Sequence, residues 1–408
     1  MKICARAVGA VLCLSQAFAG SITLVGVGSI PGNATDLSGA TGVLVGENGT
    51  VPHNQLGTFG SGIAYTGSGN IFIATNDRGY SDGLTKPDYL DRFQVFEITL
   101  DARAKTLTPK LIETRLYKTE TGQNFVGQSS AFDTAHPSKS LRLDAEGIRV
   151  ARDGNIFISD EYGPYIYEFN RQGIRIRTIP VPGKFSIAHP NASGAIELSE
   201  NSSGRQSNRG MEGLAISADG QTLIGIMQSP LLQDGGLDNS FKRIGVNIRL
   251  LRLDLKTGAS AEFVYPLENG VENGVNEILA INDHEFLVIE RDGSSGVAAK
   301  FKKIFHIDIN GATDVSKLAA LPRIGSAGFK PVSKTLFIDL LDPAYGLAGA
   351  AFPEKIEGLA FGPDLPDGRH VLYVTSDNDL SSTKPTWFYA FAVTADALPK
   401  FQRQVIHN

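Results

Sequence analysis

Five stretches of this chain repeat one layout, and that repetition narrows the fold more than any other feature. They are "GSGIAYTGSGNIFIATNDRGY" (60–80), "DAEGIRVARDGNIFISDEYG" (144–163), "GMEGLAISADGQTLIGIMQS" (210–229), "VNEILAINDHEFLVIERDG" (275–293) and "KIEGLAFGPDLPDGRHVLYVTSDND" (355–379). Each opens on a small or acidic residue and then alternates apolar with non-apolar positions. A turn rich in Gly, Asp or Asn follows, and then an apolar strand that runs out into polar residues. Alternation of this kind indicates strands, not helices. Asp153-Gly154, Asp219-Gly220 and Asp367-Gly368 suit tight hairpin turns, where a positive φ is needed and Gly adopts it without steric cost.

A third strand is legible after most repeats, at 92–98, 165–169, 248–255, 303–309 and 387–393, and a fourth in places, at 175–180 and 262–265. No convincing amphipathic helix interrupts the pattern. Four antiparallel strands per unit, recurring every 65–85 residues, is the signature of a β-propeller whose blades surround a central channel. The expectation is an all-β propeller of six blades. The sixth would draw on segments 21–30, 41–49 and 334–341, and the N-terminal strand would close the ring against C-terminal strands. No linker divides residues 20–408, which are expected to form a single propeller domain.

The first residues, "MKICARAVGAVLCLSQAFAG", carry Lys2 and Arg6 before a short apolar stretch and an Ala17-Phe18-Ala19 cleavage signal. This reads as a secretory signal peptide over residues 1–19, cut after Ala19, and places the mature protein outside the cell or in a periplasm. The apolar stretch is far shorter than the roughly 20 residues of a membrane span, and no long apolar run follows. Cys4 and Cys13, the two cysteines of the chain, fall inside the leader, so a disulfide framework is not expected. The formal net charge is −5 at pH 7 and becomes two units more negative once Lys2 and Arg6 are removed. Such mild acidity argues against nucleic acid as a partner.

The residue that opens each repeat is the informative one. In a propeller the start of each innermost strand lies at the channel mouth, so Glu146, Glu212, Glu277 and Glu357 should meet on one rim, with Ser61 in the first blade. Carboxylates brought that close repel one another unless cations, arginines or backbone N–H groups compensate. Polar tails after the second strand, Asn76-Asp77-Arg78, Asp160-Glu161, Glu290-Arg291-Asp292 and Asp377-Asn378-Asp379, should crowd the same rim, and Asn208 and Arg209 arrive there just ahead of Glu212. Carboxylate and amide oxygens in such number suit a hard cation, Ca2+ foremost. Arginines beside the cation would suit an anionic substrate. A purely architectural role, each glutamate tying one blade to the next, competes with that reading.

At these residues the chain resembles the phytase-like family, "esterase-like activity of phytase". The resemblance rests on "DAEGIRVARDGNIFISDEYGPYIYEFNRQG", "IPVPGKF", "NRGMEGLAISADGQTL" and "KIEGLAF", which span much of residues 61–393. It implies a secreted hydrolase of phosphate esters, by analogy with calcium-dependent propeller phytases. The positions that carry the family pattern are Glu146, Gly147, Asp160, Glu161, Gly163, Asn208, Arg209, Gly210, Glu212, Gly213 and Glu357. The first repeat departs from it, with Ser61-Gly62 where other repeats have an acid.

Other chemistries find less support. The chain has no G-x-S-x-G elbow, since "DGSSG" (292–296) has the wrong spacing, and it has no phosphate-binding glycine loop. Its seven histidines are scattered without an H-x-x-x-H pair, so a zinc site is not expected, and His189 reads as an ordinary loop residue. The expectation is therefore a metal-assisted phosphate-ester hydrolase acting as a monomer on a small anionic substrate. Glu212, Glu146 and Arg209 would be catalytic, and Arg78, Arg291 and Asn208 would bind substrate. Glu146, Asp160, Glu161, Glu212, Glu277 and Glu357 would hold Ca2+. A non-catalytic propeller binding a small molecule or protein, or a calcium-dependent lactonase or esterase, are the alternatives.

Overall fold

A computed structural model describes residues 21–407, apart from 47–48, 81–87, 134, 137–138, 164, 192, 269 and 271–272. The expected leader, with both cysteines, lies outside the described residues. Strand β1 (Ile22–Ile30) and a hairpin, β2 (Val43–Gly46) and β3 (Gly49–Pro52), come first. Blade one follows with β4 (Gly62–Tyr65), β5 (Ile71–Thr75), β6 (Arg92–Asp101) and β7 (Thr106–Leu116). Blade two holds β8 (Ala145–Val150), β9 (Ile156–Asp160), β10 (Tyr165–Phe169) and β11 (Arg175–Pro180). Blade three holds β12 (Met211–Ile216), β13 (Thr222–Met227), β14 (Asn247–Asp254) and β15 (Ser260–Pro266). Blade four holds β16 (Gly274–Ala280), β17 (Glu285–Arg291), β18 (Lys302–Asp308) and β19 (Ser333–Asp339). Blade five is built from β20 (Lys355–Phe361), β21 (His370–Asp377), β22 (Thr386–Val393) and β1.

The described residues thus form five blades, not the expected six. The inner strands β4, β8, β12, β16 and β20 each pack on the next, and β20 packs back on β4. The ring closes without room for another sheet. Each segment assigned to a sixth blade is used elsewhere: 334–341 supplies β19, 41–49 supplies part of the β2–β3 hairpin, and 21–30 is β1. Strand β1 pairs antiparallel with β22 from Ile22↔Val393 to Ile30↔Thr386, so the N-terminal strand closes the ring as expected from the sequence.

The apolar residues pack as wedges between neighbouring blades. Phe72 and Phe96 of blade one meet Ala360 and Tyr373 of blade five, while Ile73 and Phe93 meet Ile148 and Ile158 of blade two. Inner strands are therefore buried on both faces. Gly154, Gly220 and Gly368 take positive φ values of 83, 71 and 86° in the Asp-Gly turns, the conformation that glycine enters most easily.

The far end of the channel is blocked. Arg149 of β8 crosses the axis, donating to the Ile63 carbonyl of blade one and the Ile278 carbonyl of blade four, 3.0 and 2.7 Å away. Beyond it the C-terminal segment runs across the blade ends, with Gln402 bonded to Ile281, Gln404 to Val150 and His407 to Arg152.

Candidate functional site

A β-bulge creates the site. In four blades the pairing of inner with second strand shifts at one place: between Ala145 and Ile148, Met211 and Gly213, Val275 and Glu277, and Ile356 and Gly358. Bulges re-aim side chains, and they favour functional rims for that reason. The residues they turn toward the mouth are Glu146, Glu212, Asn276 and Glu357. Blade one has no such shift, matching its Ser61-Gly62.

This register corrects the placement of Glu277. Asn276, not Glu277, occupies the rim position of blade four. Glu277 stands one residue deeper, at the place taken by Gly147, Gly213 and Gly358 in other blades, and pairs with Arg149 at 2.8 Å in the closed channel. Burial pushes its carboxyl up to about 7 despite that partner. The offset is hidden in the sequence because an acid follows Asn276 where a glycine follows the other rim residues.

Asp160 also leaves the expected set. Its Oδ1 accepts from the backbone N–H groups of Asp144 and Tyr162, and its Oδ2 from Gly163, so both oxygens serve the turn after β9. Asp144 takes its place at the mouth. One carboxylate oxygen from each of Asp144, Glu146 and Glu161, all buried, lies within 4.8 Å of the others. The signal for Asp144 was present as "DAE", an acid just before the strand that carries Glu146.

Glu212 faces the same cluster from blade three. Its Oε1 accepts from Gln228 Nε2 at 2.6 Å and Asn276 Nδ2 at 2.7 Å. Its Oε2 is buried with no hydrogen-bond partner among the described residues. Asn276 Nδ2 also reaches Glu357 Oε1 at 3.4 Å, and Arg291 bonds that oxygen at 2.6 Å. Glu357 is thereby neutralised by Arg291, while Glu146 and Glu212 have no ion pair among the described residues.

The electrostatics follow from that imbalance. Burial, and then the charge of Glu212, raise Glu146 well above the usual carboxylate range. Burial, and then Glu161, do the same to Glu212. Burial and Asp144 push Glu161 up to about 7. Burial also acts on Asp144, but Arg78 and Arg142 outweigh it and hold that group low. A second acidic group, Asp77, Asp377 and Asp379, has its own resident cation: Lys355 pairs with Asp377 at 3.2 Å and with Asp379.

The arginines divide in the same way. Arg78 is tied to Asp144 at 3.1 Å and Arg291 to Glu357. Arg209 bonds the Ser229 hydroxyl at 2.9 Å and makes no ion pair among the described residues. Burial and the neighbouring Arg243 lower its pKa to about 10. Arg243 was not singled out from the sequence, because it lies in the loop between β13 and β14, remote from any repeat. Asn208 is exposed, with φ of 51°, at the turn before Arg209. His189 is exposed and its backbone N–H donates to Asn201 Oδ1.

No helix among the described residues is long and apolar enough to cross a membrane. A protein of Arthroderma benhamiae described as an uncharacterized secreted protein is 29% identical over 353 residues, covering 70% of this chain; the chain spans 66% of that relative's length. Among solved structures, the β-propeller domain of Myceliophteria thermophila Cps50 is similar at 10% identity, with a TM-score of 0.34, covering 83% of this chain and 98% of that one. The calcium-binding protein regucalcin of Agrobacterium tumefaciens is similar at 12% identity, with a TM-score of 0.36, covering 90% and 99%. These structural likenesses are loose, and the propeller architecture stands on the strand pairing described above. The comparison with protein families matches residues 54–380 to one description, "Esterase-like activity of phytase". The chain belongs to this phytase-like family.

Proposed function

We propose that the protein is an exported, monomeric hydrolase of phosphate esters, a single propeller domain over residues 20–408 that works at the channel mouth with an oxygen-bound divalent cation, Ca2+ foremost. One observation carries the reading: Glu146, Glu161 and Glu212 converge from two blades, buried and under-neutralised, beside two arginines that make no ion pair among the described residues. The family description and the secreted relative support the class of reaction and the export.

The donor set fits the cation. Every atom offered is a carboxylate oxygen, the preference of a hard ion, and Glu212 Oε2 is a buried acceptor that nothing in the described residues satisfies. Glu146, Glu161 and Glu212 would hold it, with Asp144 beside them. A cation bound there supplies Lewis acidity toward a phosphoryl oxygen and makes water a better nucleophile. Arg209, with Arg243 close by, binds the substrate anion by charge-assisted hydrogen bonds. Glu146, at the edge of that cluster, would accept the proton of the attacking water through its carboxylate. Gln228 and Asn276 fix the orientation of Glu212 through its Oε1.

Phosphate release from phytate or p-nitrophenyl phosphate by the purified mature chain tests this. Release should require Ca2+, stop with a chelator, and fall by about a hundredfold or more in Glu212→Gln. Cleavage of lactones or carboxylesters without phosphatase activity, or folded protein that neither binds metal nor turns over phosphate esters, would overturn it.

A further inference from the structure

At the opposite end of blade four, away from the acidic mouth, two histidines and two carboxylates gather where β16 turns into β17 and where β18 ends. His284 Nδ1 lies 2.9 Å from Asp308 Oδ1, and His306 Nε2 lies 3.7 Å from Glu285 Oε1. One ligand atom from each of His284, Glu285 and Asp308 fits within a 4.8 Å span. His306 Nε2 is a buried ring nitrogen with no hydrogen-bond partner among the described residues. We propose that His284, Glu285, His306 and Asp308 form a binding site for a transition-metal dication of the zinc class.

Strand geometry assembles the set. His306 and Asp308 are two residues apart on β18 and share one face. Glu285 is registered opposite Asp308, and Leu287 opposite His306, so Glu285 lies diagonally across from His306. His284 comes from the turn, whose shape is fixed by Asn282 Oδ1 accepting from the backbone N–H groups of His284 and Glu285 at 3.0 and 2.9 Å. Tetrahedral zinc with bonds near 2.0–2.1 Å keeps its ligand atoms roughly 3.3 Å apart. The 2.9 Å contact of His284 with Asp308 is a hydrogen bond that the ion would replace, and His306, 3.7 Å from Glu285 but outside the three-residue group, would turn in to complete the set. Two imidazoles with two carboxylates favour zinc and its neighbours over calcium, which takes oxygen. The histidine and aspartate side chains are about one-quarter exposed, which gives an ion a way in.

One group competes. The Lys400 ammonium sits 3.2 Å from Glu285 Oε1, and its side chain is largely exposed and able to swing out. Asn282 meanwhile donates to both Glu285 Oε2 and the Lys400 carbonyl. Metal at this site would therefore fasten the β16–β17 turn, β18 and the C-terminal segment together, a structural role separate from the mouth.

Calorimetric titration of the chelator-stripped full chain with Zn2+, in excess Ca2+, tests the proposal, with Co2+ absorption as a readout of imidazole ligation. One ion per chain should bind and raise the melting temperature. His306→Ala and the double variant His284→Ala/His306→Ala should each weaken binding at least tenfold. Lys400→Met should tighten it, an outcome that misfolding cannot imitate. Zinc binding undiminished in the double variant, absence of zinc binding to the wild type, or a Lys400→Met variant that binds no more tightly would overturn the assignment.

Discussion

Asn276 and Glu212, 64 residues apart in sequence, meet at the channel mouth through a 2.7 Å hydrogen bond from Nδ2 to Oε1. The bond joins two bulges in adjacent blades. It leaves Glu212 with one oxygen held and, among the described residues, one buried oxygen without a hydrogen-bond partner, facing the carboxylates of blade two. A neutral amide at this rim position orients a charge without cancelling it.

Stability of the metal-free protein should fall as pH rises from about 4.5 toward 7. Glu146 and Glu212 lie well above their ordinary values, and Glu161 and Asp77 are pushed up to about 7. The fold therefore binds more protons than the unfolded chain in that window, and stability is lost as those protons leave. Urea midpoints at pH 5 and pH 8 with chelator present check the sign. Ca2+ should restore stability most above pH 7.

Glu212→Gln should raise the melting temperature of the chelated protein while lowering activity, because it removes one charge from a repelling group. Differential scanning calorimetry with and without chelator separates the two effects. A variant less stable than wild type in chelator would count against repulsion at the mouth.

The Arg149–Glu277 pair should behave differently. Arg149→Met leaves Glu277 buried without its partner and should cost about 3–5 kcal/mol, most of it recovered in Arg149→Met/Glu277→Leu. Denaturant titration of the single and double variants measures this. Gly213→Ala should also destabilise, by about 1–3 kcal/mol, since its Cβ would lie 2.7 Å from Ile278 N and 2.8 Å from Glu277 Cα. Those are backbone atoms of the next blade and cannot swing aside.

Arg209→Met should raise KM for p-nitrophenyl phosphate by about ten- to a hundredfold, the worth of a charge-assisted hydrogen bond. Steady-state kinetics over a range of salt concentrations checks it, because screening should shrink the difference.

The repeat made the strands readable: 165–169 and 175–180 match β10 and β11 residue for residue. Blade number was not readable in the same way, because 334–341 has the alternation of any strand and only its pairing with β18 assigns it to blade four. Within the site, Glu146, Glu161 and Glu212 were legible as a rim. Glu277 was misplaced by one residue, since a bulge changes facing without changing the sequence pattern. The histidines of blade four have no helical spacing in the sequence, and only cross-strand register brings them near one another.

Calcium titration of the chelated mature chain, wild type against Glu212→Gln and Glu277→Gln, tests the convergence of the mouth carboxylates most directly. Wild type and Glu277→Gln should bind Ca2+ alike, and Glu212→Gln should lose at least tenfold in affinity. Equal binding by wild type and Glu212→Gln, or loss confined to Glu277→Gln, would contradict a cation site built on Glu146, Glu161 and Glu212.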